Sequence, residues 1–132
     1  MAQHRILAED HATQWMGIEV IQAEPGRSIV RMSVRREMLN GFAITHGGMV
    51  FSLADTCFAL TCNHPTEDDG TITVATGVDI NFLGQSREGD VLEAEGRMIS
   101  QGGRSGICDI TVRSGERTIA EFRGRFRRLD RR

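Results

Sequence analysis

Hydrophobic and polar positions along the chain switch period several times, and each switch marks a new element. Over residues 3 to 16, Ile6, Leu7, Trp15 and Met16 stand among polar residues, which predicts a short, weakly amphipathic helix ended by Gly17. The runs 18–23 and 28–34 flank Glu24-Pro25-Gly26. Pro followed by Gly is strong turn chemistry, so these runs predict a β-hairpin. In its second strand Val30, Met32 and Val34 alternate with Arg31, Ser33 and Arg35, one face for a core and one for water.

From Gly47 to about Asn63 the residues are apolar on nearly every side, with no helix breaker after the glycines. The run is longer than the usual strand of roughly three to ten residues, so it predicts a buried central helix, which His64-Pro65 terminates. Alternation with a period of two then takes over. Ile72, Val74, Thr76, Val78, Ile80 and Phe82 share one predicted strand face over 72–82, and Leu92, Ala94, Gly96 and Met98 share another over 92–98. Gln101-Gly102-Gly103-Arg104 and Ser114-Gly115-Glu116 read as turns joining strands 105–113 and 117–127, the last turning Ala120, Phe122, Gly124 and Phe126 inward. The order predicts an α+β fold in which one curved antiparallel sheet wraps one long buried helix, preceded by a short N-terminal helix.

Composition narrows the picture. A chain of 132 residues, 39% apolar and 26% charged with two prolines, suits one domain spanning 1–132 with its own core. Sixteen basic against 18 acidic residues leave a net charge of −2, which gives no field for gripping a nucleic acid. All the basic residues are arginine, and the absence of lysine excludes Schiff-base, PLP and P-loop lysine chemistry. No apolar run approaches the roughly 18 residues that span a bilayer, and the N-terminus lacks the build of a signal peptide, so a cytoplasmic protein without membrane attachment is expected. Cys57, Cys62 and Cys108 lack framework spacing and read as small buried hydrophobes. Cys57 and Cys62 stand about 140° apart round a helix, which suits no tetrahedral site, and no metal is expected.

Two features carry candidate chemistry. Gly47 and Gly48 follow His46 at the start of the buried helix, where amides are unpaired and the dipole is positive, a ready oxyanion site. A blander reading is that these glycines only permit a sharp entry into a tightly packed helix. Asp55 lies among Phe51, Leu53, Ala54, Phe58 and Ala59, with no arginine on its own helix to compensate it. It reads as a general base or nucleophile with a raised pKa, against the alternative of an ion pair with a distant arginine. Eight residues of helix separate Gly47 from Asp55, roughly 12 Å, too far for one small carbonyl to touch both. If both serve one reaction, the amide comes from one chain and the carboxylate from another across a two-fold axis, giving a homodimer with two shared sites.

The stretch LNG…HGGMVFSLAD, followed by TVATGVDINFLGQSREGDVL, resembles the hot-dog-fold thioesterases, most closely the phenylacetic-acid-degradation type of acyl-CoA thioesterase. The similarity runs from Gly17-Ile18 through Phe126. It implies hydrolysis of small aromatic acyl-CoA thioesters, phenylacetyl or ring-hydroxylated phenylacetyl, to the free acid and CoA. It also implies a homotetramer built as a dimer of dimers, and no cofactor, coenzyme A being part of the substrate. Position by position, Asp55 matches the family's catalytic carboxylate and Gly47 the glycine whose N–H polarises the thioester carbonyl, while His46 and Asn40 match residues lining that pocket. Gly48, Met49 and Phe82 fall beside the acyl site, and Ser86 with Arg87 on the pantetheine path. Arg87 and Arg104 sit on loops where they can attract the CoA phosphates, whereas Arg123, Arg125, Arg127, Arg128, Arg131 and Arg132 read either as a solvated face and end or as a further phosphate attractor. The chain departs from the pattern at Glu9-Asp10, where relatives often carry Asn-Asp, and at Met49, where glutamine is common.

Two rival readings remain. One is a non-catalytic acyl-CoA-binding or effector-sensing module on the same fold, against which Asp55 argues, since binding alone gains nothing from an uncompensated carboxylate. The other is a hot-dog hydratase, which typically needs an Asp-x4-His pair where this chain has Leu60.

Overall fold

One apolar helix organises the rest of the chain. The computed structural model describes residues 2–131. The helix, α2 (Gly47–Cys62), begins where the extended backbone of His46 turns into it and ends at Asn63, whose N–H still reaches the Ala59 carbonyl. Leu53, Ala54, Cys57, Phe58 and Leu60 are fully buried.

Six antiparallel strands surround it: β1 (Glu19–Glu24), β2 (Arg27–Ser33), β3 (Thr71–Phe82), β4 (Val91–Gly102), β5 (Ser105–Ser114) and β6 (Arg117–Asp130), in the spatial order β1-β2-β4-β5-β6-β3. The chain leaves β2, passes through α2 and re-enters at the far edge, so α2 lies along the concave face and touches all six strands. This is the sheet wrapped round a helix that the alternation predicted. The Pro25-Gly26 turn closes the first hairpin, with Gly26 at φ 77°.

Inward residues of the long strands meet α2. Phe58 packs its ring 5.8 Å from that of Phe122 and 6.4 Å from that of Phe126. Position 124 must be glycine for this to happen, because any Cβ there would strike the Phe58 ring. Burying such a ring contributes about 1.5–3 kcal/mol. On the convex face the charges pair across strands: Arg27 with Glu95 at 2.6 Å, Arg31 with Glu93 at 2.8 Å, and Arg125 with Asp79 at 2.9 Å. Arg123 grips both carboxylate oxygens of Asp109, at 2.6 and 2.8 Å. Arg123 and Arg125 therefore belong to a solvated ion-pair face, while Arg132 lies outside the described residues.

Two expectations are corrected. The N-terminal helix over 3–16 is two pieces: a 3-10 turn at Arg5–Leu7 and α1 (His11–Met16), split because the Asp10 carboxylate caps the Thr13 N–H and starts a new helix. Gly17 ends α1 in the left-handed conformation, at φ 70°. Trp15 is exposed rather than core-facing, with the Arg35 guanidinium 4.9 Å above its ring. In β3 the six apolar positions do not share a face. A bulge between Ala75 and Gly77 shifts the register against β6, so Val78 and Ile80 pack on the core while Ile72 and Val74 turn outward.

Candidate functional site

The site grows from a tight loop just ahead of α2. Asn40 Oδ1 accepts the N–H groups of Phe42 (2.9 Å) and Ile44 (3.4 Å), and the Asn40 N–H donates to the Ile44 carbonyl. The loop is narrow enough to push Ala43 to φ 61°, the one positive φ outside glycine among the described residues, a conformation costing about 1–2 kcal/mol for a residue with a Cβ. It closes on the isolated bridge between Leu39 and Thr45. Ser86 then locks Thr45 in place: its buried hydroxyl donates to Thr45 Oγ1 at 2.6 Å, and the Thr45 N–H donates to the Ser86 carbonyl at 2.8 Å.

This arrangement fixes how α2 begins. His46 is the N-cap, and its Nδ1 accepts the Gly48 N–H at 3.0 Å. With Nδ1 accepting, the neutral ring carries its proton on Nε2. The expectation of two free glycine amides is thereby corrected to one. Gly48 is satisfied by its own cap, whereas the Gly47 N–H has no acceptor among the described residues. The amide stands at the positive end of a sixteen-residue helix, where a developing oxyanion is stabilised. Phe82, at the end of β3, lies against it: a Cβ on position 47 would sit 3.4 Å from the Phe82 ring.

Asn40, Ile44, Thr45, Gly47, Val50 and Phe82, with the chain from Leu83 to Ser86, enclose a cavity of about 380 Å³. The structure thus brings Asn40, Gly47, Phe82 and Ser86 to one place and leaves other expected residues outside it. Met49 is packed against the core, and none of His46, Gly48 and Met49 lines the cavity, His46 being engaged as the cap of α2. Ser86 is a latch, its hydroxyl turned to Thr45, and not a free group on a pantetheine path. Arg87 is exposed beside it on the turn before β4. Arg104 follows β4, twelve residues or about 40 Å of strand away, and is bound to the Arg128 carbonyl and the Asp130 carboxylate. The two arginines cannot serve one cavity of a single chain.

Asp55 lies on the open side of α2. Gly48, Ser52, Asp55 and Ala59 recur at helical spacing along the stripe that the sheet does not cover, while Leu53, Ala54, Cys57 and Phe58 face the core. The carboxylate is half-buried and has neither an ion pair nor a hydrogen bond among the described residues. Burial pushes its pKa above the ordinary carboxylate value. The alternative of a pairing with a distant arginine finds no partner among the described residues. The same effect disfavours the thiols as nucleophiles: burial pushes Cys57 and Cys108 up to about 12 and Cys62 higher still. Asp55 does not line the cavity beside Gly47 of its own chain.

Sequence reasoning missed Phe42 and Thr45. Thr45 is recognised only through a contact 41 residues away, which no local pattern carries. Phe42 had a local signal, an aromatic residue directly after Asn-Gly in a turn.

Comparison with known proteins agrees with the geometry. The model of the thioesterase superfamily matches residues 42–129. The acyl-coenzyme A thioesterase PaaI of Escherichia coli is 38% identical over 127 residues, 96% of this chain and 88% of the relative. The solved structure of the E. coli PaaI protein, from the phenylacetic acid degradation operon, superposes with a TM-score of 0.88 at 36% identity, covering 95% of this chain and 88% of that one. A mutant of the phenylacetic acid degradation protein PaaI from Thermus thermophilus gives 0.84 at 27% identity, covering 91% and 100%. A Streptococcus mutans UA159 protein solved with acetyl CoA bound gives 0.76 at 26%, covering 87% and 90%. With an uncompensated carboxylate and a free amide on one helix of a hot-dog fold, and the family match spanning both, the chain belongs to the thioesterase superfamily.

Proposed function

We propose that the protein hydrolyses acyl-CoA thioesters of small aromatic acids, phenylacetyl in type, in a two-fold dimer where Gly47 of one chain works with Asp55 of the other. The observation that carries this reading is Asp55, a half-buried carboxylate without a partner among the described residues, on the uncovered side of a helix whose first amide also has none there. Their separation of roughly 12 Å along one helix is why a second chain is required. The names of the relatives support the acyl-CoA and phenylacetyl parts of the reading.

The free edge of β3 supports the dimer. Because the Leu83 N–H bonds the Ile119 carbonyl, the in-phase residues Asn81 and Asp79 address β6, and Val78 and Ile80 turn their N–H and C=O groups to the open side. An antiparallel pairing of two such edges continues the sheet and sets the two α2 helices side by side in opposite directions. Two such dimers, back to back, would make the tetramer.

In this mechanism the thioester oxygen accepts the Gly47 N–H. Asp55 of the second chain takes a proton from water as the water oxygen bonds to the carbonyl carbon. The tetrahedral intermediate collapses by breaking the carbon–sulfur bond, and the departing thiolate recovers the proton from Asp55. Direct attack by Asp55, forming a mixed anhydride that water then cleaves, uses the same groups. The thiolate is a good enough leaving group that no strong acid is needed. Asn40, which lines the same cavity, brings a side-chain amide donor to it.

The test is thiol release from a panel of acyl-CoAs by the wild type, Asp55→Ala and Asp55→Asn, with binding measured in parallel. A kcat loss of at least about 10²-fold with binding retained supports the thioesterase. Tight binding without turnover by the wild type would instead establish the non-catalytic module.

A further inference from the structure

Phe42 is 83% exposed, the highest value among the large apolar side chains described. The loop does not leave it there by default. Asn40 Oδ1 holds the amides on either side of it, at Phe42 and Ile44, and the turn is completed by Ala43 in the left-handed region at φ 61°. A glycine would adopt that backbone without strain, so the chain holds a disfavoured geometry at the residue next to an aromatic ring directed at solvent. The base of the loop is the cavity wall itself, through Asn40, Ile44 and Thr45. Across the cavity Phe82 and Leu83 are also unusually bare, at 53% and 61%. Phe82 and Leu83 thus line the concave site that carries the unpaired Gly47 amide, and Phe42 rises from the loop that forms its opposite wall.

We propose that Phe42 is a specificity-determining residue, its ring forming with Phe82 the aromatic walls that receive a flat aryl-acyl group at the mouth of the cavity beside Gly47. This rests on the acyl-CoA reading above and adds which side chains choose the acyl group. An aromatic acyl group gains ring-to-ring contact from two such walls. A short aliphatic one gains only the area it covers. Phe42 touches no reacting atom in this scheme, so its effect falls on which thioester is accepted.

The experiment compares phenylacetyl-CoA and butyryl-CoA hydrolysis by the wild type, Phe42→Ala and Phe42→Leu, with the mass of the assembly measured by light scattering. The expected result is a fall of about five- to tenfold in the phenylacetyl-to-butyryl ratio of kcat/KM for Phe42→Ala, carried by KM, with Phe42→Leu restoring only part of it. A ratio within twofold of the wild type in Phe42→Ala overturns the proposal. So does a parallel loss on both substrates together with a changed assembly mass, which would make Phe42 a subunit contact. If the wild type releases thiol from neither thioester, the acyl-CoA reading itself fails, a result separate from either.

Discussion

The Phe82 ring stands against the backbone of Gly47 so closely that a Cβ there would lie 3.4 Å from it. The ring is half-exposed and free to give way by that little, so position 47 tolerates a side chain while its amide remains the chemically important atom.

Gly47→Pro isolates that amide. Proline is well suited to the first helical position, and His46 at ψ 134° already has the extended backbone that precedes a proline. The variant is expected to unfold within about 1 kcal/mol of the wild type yet lose about 10²–10³-fold in kcat, as when a single oxyanion donor is removed. Mixing it with Asp55→Asn chains tests the shared site. Each mixed dimer has one site with both groups intact, so random reassociation should return about a quarter of wild-type activity, whereas a site within one chain returns none.

Asp55 couples activity to stability through pH. Its folded pKa is raised by burial, so the folded state binds more protons than the unfolded chain between the ordinary value of 3.8 and the raised value. Stability is therefore lost as pH rises through the folded pKa. Asp55→Asn should be more stable than the wild type near pH 7 by denaturant unfolding, with the difference shrinking towards pH 3. The acid limb of wild-type kcat/KM should lie above the usual carboxylate range. An Asp55→Asn variant that is less stable at pH 7 would show that the carboxylate has a partner.

The Ser86 and Thr45 hydroxyls form a buried pair at 2.6 Å. Ser86→Ala leaves Thr45 Oγ1 without its donor and is expected to lower stability by about 1–3 kcal/mol. Adding Thr45→Val should cost less than the sum of the two single changes. Strict additivity in the double-mutant cycle would mean the hydroxyls do not act together.

His4 closes the other end of α2. Its Nε2 lies 2.9 Å from the Asn63 carbonyl and 3.1 Å from that of Leu60, and Nδ1 accepts the Ile6 N–H. Desolvation lowers its pKa from the ordinary 6.5, with the two carbonyls opposing, so the stability it contributes is present above 6.5 and lost as pH falls towards the folded pKa. His4→Ala should cost about 1–2 kcal/mol near pH 7.5, and the gap from the wild type should narrow near pH 5. A gap that widens on acidification would mean the ring is charged in place.

Much of this is legible in the chain because α2 and the alternating strands each bury one continuous pattern. The helix, the Pro25-Gly26 hairpin and Asp55 as an uncompensated charge are all local statements about neighbours in sequence. The bulge at Ala75/Gly77 is not, because alternation alone carries no sign of where an extra residue is inserted. The split before α1 does have a signal, Asp10 as an N-cap, which the hydrophobic pattern across 3–16 obscures. Arg104 and Arg87 look alike in sequence because both sit on loops beside strands, and only the pairing of β4 shows them at opposite ends of a strand.

Asn63 has one more role. Its Oδ1 takes the Thr73 N–H at 3.0 Å and its Nδ2 reaches the Thr73 carbonyl at 3.1 Å, on the side of β3 that faces no strand. That clasp shortens the exposed rim to its later half, beyond the bulge. In the dimer proposed above, a second copy would have to meet β3 along that later half, where Val78 and Ile80 leave their backbone groups open. A side chain at the helix end thus narrows the stretch of edge strand left open to a neighbouring chain.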